Sequence, residues 1–257
     1  LITAFCVYSF RNIGPFPILV FNGPRGSAKS TMSEVIVALV DPNEDALRSF
    51  PRNEQDLAIA LGSRRLLALD NISAVSASNS DMLARVATGV SFAARTLYTD
   101  NQQTRIRMCN PILMNGIPSF IERSDLADRC LFLNLPPISS EKRKTEHQFW
   151  DDFRSKQPEI LGLIFDGVSA SLAEAAPWDN LPQELGRMAD FHDVARRSEN
   201  VFWPKGTFDA AYRASQEKWS NSALAKYPTA CAIIELVKSI QVDNPFRTGR
   251  TVWTGSV

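Results

Sequence analysis

Histidine and cysteine are scarce in this chain, with two histidines and four cysteines in 257 residues. Cys6, Cys109, Cys130 and Cys231 show no paired spacing, and His147 lies far from His192. That argues against a zinc site or a disulfide framework, and it makes a reducing cytoplasm the expected setting. Net charge is also missing, because 28 basic residues cancel 28 acidic ones. Any contact with nucleic acid must therefore come from a local patch. No apolar run is long enough to span a bilayer. The apolar start over residues 1–10 is short and meets Arg11 at once, so neither a signal peptide nor a membrane contact is expected. An initiating methionine is lacking, and Trp253-Thr254-Gly255-Ser256-Val257 completes no element, so the chain is read as a piece of a longer protein. No internal repeat or low-complexity tract is present. With 44% hydrophobic residues, the chain can bury one large core, or a core plus a smaller helical domain.

What is present is concentrated first in Gly23-Pro24-Arg25-Gly26-Ser27-Ala28-Lys29-Ser30-Thr31. This run has the composition of a phosphate-binding loop. Gly23 and Gly26 permit backbone angles that turn successive N–H groups inward to cradle an anion. Lys29 is placed to reach the β- and γ-phosphates of ATP, and Ser30 to hold Mg2+. The apolar run 17–21 before the loop reads as a buried parallel strand. Residues 32–40 after it carry apolar positions at helical spacing, so the helix's positive end faces the anion. Ala28 stands where the pattern expects glycine.

A second apolar strand, 64–71, ends in Asp70, whose carboxylate can accept hydrogen bonds from the waters of a Mg2+ held by Ser30. Asn71 follows where a second acid would polarise an attacking water, and an amide cannot take up a proton. Three readings stay open: another acid serves, Asn71 only orients the water, or hydrolysis is slow. A third strand, 110–116, ends in Asn115, expected at the ligand crevice near the γ-phosphate or the lytic water. Arg123 and Arg129 then precede the apolar strand 130–135. Arg129 is the first choice and Arg123 the reserve for an arginine presented to a neighbouring subunit's nucleotide. Pairing of Arg129 with Asp125 or Asp128 is the alternative.

In this order the motifs resemble the helicase-type ATPase domain of superfamily 3 and AAA+ relatives, in particular ATP-binding proteins of phages and bacterial integrated elements that accompany or fuse to primases. The resemblance covers about 16–137. It implies an α/β fold, a P-loop NTPase (AAA+-like) parallel sheet flanked by helices and followed by an α-helical lid domain. AAA+ minichromosome-maintenance helicases are similar in tolerating alanine at the place of Ala28. Asn115 then corresponds to sensor 1, and Arg187 to a candidate sensor 2 reaching the phosphates from the lid. Residues 92–109 read as an inserted β-hairpin, which in superfamily 3 touches nucleic acid. Arg95, Arg105 and Arg107 would supply phosphate contacts and Tyr98 stacking, unless the segment is a solvated hairpin edge.

The expected organisation is an ATPase core at 1–138, a helical lid at 139–243 and a linker at 244–257. Within the lid, helices are expected at 141–156, 158–175, 185–199 and 207–226, with Trp203, Phe208, Tyr212 and Trp219 as core aromatics. The resemblance implies a cytoplasmic motor that binds Mg-ATP between subunits of a homo-oligomeric ring or filament. It would couple hydrolysis to remodelling of DNA in phage or mobile-element replication, with a primase fused or associated. A nucleotide-gated assembly switch with little turnover is the alternative, and a small-molecule kinase the second.

Overall fold

A computed structural model of the chain describes residues 1–95, 103–117, 120–173 and 187–224, with 229, 232 and 236 besides. Four apolar runs form its central sheet: β1 (Ile18–Asn22), β2 (Leu67–Ile72), β5 (Ile112–Gly116) and β6 (Cys130–Asn134). All pair in parallel in the order β2-β5-β1-β6. Ile18, Leu19, Val20, Phe21, Ile112, Leu113 and Met114 are fully buried, because both faces of the sheet are covered and the strands need no polar alternation. The register sets Phe21 beside Asn115 and Asn22 beside Gly116. The carboxyl ends of β1, β5 and β2 therefore emerge side by side.

Helices α2 (Lys29–Val40), α3 (Glu54–Gly62), α4 (Ala77–Thr88) and the single turn α5 (Ser124–Ala127) connect the strands. Asn53 caps α3 by accepting the Asp56 N–H, and Ser76 caps α4 by accepting that of Asn79. A separate two-stranded antiparallel ribbon, β3 (Val90–Arg95) with β4 (Gln103–Met108), runs from the pair Val90 and Met108 to the pair Arg95 and Gln103. The flanks of the sheet are occupied by the chain itself. Beyond β2, the Arg48 main chain donates to Ala68 and accepts from Asp70. Beyond β6, the Ser215 hydroxyl bonds both the N–H and the C=O of Phe132, and Gln216 donates to Cys130 C=O.

The apolar start of the chain is a helix, α1 (Ile2–Ser9), in which Phe5, Cys6, Val7 and Tyr8 are each at most 2% exposed. Its second half needs no polar face because α2, α6 (Glu146–Ala173) and α7 (Ala189–Phe202) pack around it, while Ile2, Thr3 and Ala4 stay half-buried. Burial pushes the Cys6 thiol up to about 12. Where the sequence suggested two helices parted at Pro158, α6 is one helix of 28 residues with Pro158 inside it. The proline ring removes one helical donor, and packing of α6 on α1 and α7 outweighs that loss. Helix α7 begins at Ala189 rather than 185, and α8 covers Thr207–Leu224. The chain divides into compact units Leu1–Gln216 and Glu217–Val257. No helix among the described residues is long and apolar enough to cross a membrane.

On α7, His192 is buried against the rings of Phe191, Phe208 and Tyr212, the last with its centroid 4.1 Å away. Neither ring nitrogen has a hydrogen-bond partner among the described residues. Burial first, then the Arg196 guanidinium, depress its pKa to about 4 against an opposing pull from Asp209. The unfolded chain binds a proton at His192 near pH 6.5 while the folded chain does not, so this residue's contribution is intact above pH 6.5 and is lost as pH falls toward 4. Urea unfolding at pH 7 and pH 4.5 should show a smaller acid-induced loss for His192→Phe than for wild type. Equal losses would refute the assignment.

Candidate nucleotide site

Between β1 and α2 the chain folds back on itself in the loop 23–28. A Cβ on Gly23 would sit 2.5 Å from the Leu135 carbonyl and 2.6 Å from the Ser27 hydroxyl, so only glycine allows the approach. Gly26 has φ +76°, and Ala28 at the N-cap of α2 has φ 55° and ψ 33°. Alanine accepts that left-handed conformation at a cost of about 1 kcal/mol. Pro24, Arg25 and Gly26 are exposed, Ser27 is buried with its hydroxyl bonded to Pro24 C=O at 2.9 Å, and Thr31 is half-buried in the first turn of α2. Lys29 Nζ lies inside the loop, donating to the Gly23 and Pro24 carbonyls at 2.8 and 2.9 Å. These positions gather an ammonium, the N–H groups of the first turn of α2 and its positive dipole end at one place.

The Ser30 hydroxyl donates to Asp70 Oδ1 at 2.9 Å, joining α2 to the end of β2. No cluster of three or more His, Cys, Asp or Glu side chains able to hold a metal occurs among the described residues. A cation here would take oxygens from Ser30 and Asp70 and the remainder from phosphate and water. Mg2+ binds in that way, and the donor set fits it.

Asn115, 1% exposed at the end of β5, accepts the Asn71 N–H through Oδ1 at 3.0 Å and donates from Nδ2 to Ser33 Oγ at 3.0 Å. Ser33 in turn donates to the Lys29 carbonyl at 2.9 Å. One chain of hydrogen bonds thus runs from the loop helix through β5 to β2. Asn71 itself has φ 57°, where β2 departs from regular pairing with β5 between Leu69 and Ile72. Asparagine and aspartate tolerate that conformation; a longer acid is strained there. The backbone therefore gives one reason that glutamate is absent from this position.

Arg129 is 9% exposed, and one guanidinium nitrogen donates to both the carbonyl and the carboxylate of Asp125, the latter at 2.7 Å. Arg187 reaches the same carboxylate at 3.0 Å and Asp128 at 3.5 Å. Hydrogen bonding to Arg129, with Arg187 beyond, holds the Asp125 carboxyl below the usual carboxylate range. Arg123, with 47% of its side chain exposed, pairs with Asp81 at 2.8 Å. Of the hairpin residues, Arg105 and Arg107 lie in β4 opposite Ala93 and Ser91, and Arg95 closes β3. Tyr98 and residues 244–257 lie outside the described residues. Sequence reasoning passed over the connection after β6. The Leu135 N–H donates to Asn22 C=O at 2.8 Å and the Ile138 N–H to Gly26 C=O at 3.1 Å, so this segment lines the loop.

A parallel sheet flanked by helices, with a glycine loop between its central strand and the following helix, defines a P-loop-type NTPase fold. The chain belongs to the family of actinomycete integrative conjugative element replication proteins, whose profile matches residues 1–222. No curated protein matches it. Among solved structures it is similar to JCV helicase bound to an acetamide compound, at 14% identity and TM-score 0.45, over 86% of this chain and 60% of that one. It is also similar to the apo C-terminal region of NrS-1, at 10% identity and TM-score 0.46, over 63% of this chain and 39% of that one. For NtrX from Brucella abortus in complex with ADP the identity is 13% and the TM-score 0.33, over 90% of this chain and 65% of that one. The chain thus spans 60% or less of the helicase and NrS-1 chains.

Asn115→Ala would leave the Asn71 N–H without its acceptor, which should cost about 1–3 kcal/mol in urea unfolding. Asn115→Asp keeps that acceptor but sets a carboxylate against the Ser33 oxygen, so an intermediate loss is expected. A stability loss under 0.5 kcal/mol for Asn115→Ala, about the scatter of surface substitutions, would mean the linkage carries no weight.

Proposed function

We propose that this chain is the Mg-ATP-dependent motor domain of a replication protein, hydrolysing ATP to remodel DNA. The observation that carries the reading is the Ser30 hydroxyl on Asp70 at the mouth of a glycine loop, with Asn115 buried between them and β1. Lys29 and the N–H groups of 26–30 would bind the β- and γ-phosphates, and Ser30 and Asp70 would hold Mg2+ and its waters. The cation supplies neutralisation of charge that develops on the phosphates. Asn115 would hold the end of β2 in register with the loop, its amide being engaged by Asn71 and Ser33. Membership of a replication family supports DNA as the partner. A primase, fused or associated, and a cytoplasmic setting belong to the same proposal.

Residues 139–243 are proposed as a lid beside the nucleotide, with Arg187 positioned by Asp125 and Asp128 as its sensor. Assembly into a homo-oligomeric ring or filament would bring an arginine to the neighbouring site. Arg129 would have to leave Asp125 to do so, whereas Arg123 is already half-exposed. A second reading, a nucleotide-gated assembly switch with little turnover, is favoured by one observation: the residue after Asp70 is an amide, in a left-handed conformation.

Steady-state ATP hydrolysis with and without single-stranded DNA tests the motor. Turnover should rise with DNA, and Lys29→Ala should lower it by about 100-fold or more. Tight ATP binding with no turnover at any protein concentration would discard the motor in favour of the switch. Separately, replacing Arg105 and Arg107 together should reduce the slope of log affinity for single-stranded DNA against log salt by about 1.4, and an unchanged slope removes them from the interface.

A further inference from the structure

We propose that Arg143 is a phosphate-binding residue of the nucleotide site, supplied by the same chain from the connection between β6 and α6. The inference rests on the nucleotide reading above and adds to it a cation that none of the P-loop motifs contains.

The connection is held against the loop at two points, through Leu135 on Asn22 and Ile138 on Gly26. Leu135 C=O is also the atom that forbids a side chain at Gly23. A short 3-10 turn, Ser140–Lys142, then returns the chain toward the loop. At its end the Arg143 N–H donates to Ser140 C=O at 3.4 Å, and Arg143 Nε donates to Ile138 C=O at 3.3 Å. The same Ile138 bonds Gly26, so the arginine is tied to the residue that is itself tied to the loop. As a result Arg143 Nη2 lies 3.5 Å from the point where a Cβ on Gly26 would be, the nearest heavy atom there.

The chemistry suits an anion. Nε is occupied by a carbonyl, while neither terminal nitrogen has a hydrogen bond or ion pair among the described residues. Two parallel N–H donors fixed at one end form the fork that phosphate oxygens accept. The adjacent Lys144 differs, since its ammonium is taken up by Asp152 at 2.5 Å. Lys29 would meet the phosphates from inside the loop and Arg143 from beside Gly26. Arg143 needs no neighbouring subunit to be in place.

The test is equilibrium binding of fluorescent mant-ATP and mant-ADP, with Mg2+, to wild type, Arg143→Ala, Arg143→Lys, Lys142→Ala and Lys29→Ala. Arg143→Ala should weaken at least the triphosphate by about 10-fold, the loss of one charge-assisted contact. Arg143→Lys should recover part of that loss, and Lys142→Ala should stay within about 2-fold of wild type. Because Arg143 is exposed, melting temperatures should hold within about 2 °C, which separates lost binding from lost structure. Affinities of Arg143→Ala within 2-fold of wild type for both nucleotides, while Lys29→Ala fails to bind, would overturn this inference alone. A wild-type chain that binds neither nucleotide would overturn the nucleotide reading with it.

Discussion

The buried amide of Asn115 is the joint on which the site depends. It lies on the fully enclosed strand β5, where an unpaired polar group costs more than the hydrogen bonds that satisfy it return. Both ends of the amide are used. One receives the N–H of Asn71, the other meets the Ser33 hydroxyl, which itself holds the carbonyl of Lys29. The helix that carries Lys29 and Ser30 is thereby set relative to the strand that carries Asp70. The 2.9 Å hydrogen bond between Ser30 and Asp70 joins the two elements so set, and at the exposed side of the site it adds little by itself.

A second joint is the carboxylate of Asp125, which receives Arg129 and Arg187 together. One acid holds two cations that arrive from different parts of the chain, one from the turn before β6 and one from just before α7. A change in charge on either arginine would be felt by the other through this oxygen pair. The core beneath is made the same way, with α1, α6 and α7 enclosing one another and the sheet. Residues 1–10 are therefore as much a part of the α/β core as the glycine loop is.

Much of the fold was legible in the sequence because its signals are local. The apolar runs at 17–21, 64–71, 110–116 and 130–135 correspond to β1, β2, β5 and β6, and Lys29 and Ser30 at a helix start, with Asp70 and Asn115 near strand ends, are brought together in space. What was not legible depends on distant partners. A proline signals a break, and only the packing of α6 against α1 and α7 carries the helix through Pro158. The run over residues 1–10 reads as apolar without saying what encloses it. Asn71 reads as a missing acid, whereas its left-handed backbone belongs to an irregularity in the pairing of β2 with β5. Arg143 sits in a charged stretch with nothing to distinguish it from Lys142 or Lys144. Its place beside Gly26 comes from main-chain carbonyls and N–H groups of the connection, to one of which its own Nε bonds, and these carry no side-chain signature.

The flanks of the sheet carry a last consequence. Arg48 occupies the outer side of β2 and Ser215 with Gln216 the outer side of β6, by hydrogen bonds from within the chain. A neighbouring molecule finds no open ladder to extend at those places, so copies of this domain cannot join by strand addition there. At those flanks any contact between copies is made by side chains and loops, which can slide and re-register, and not by a shared ladder of main-chain bonds. A continuous sheet running through several copies would lock them in one arrangement.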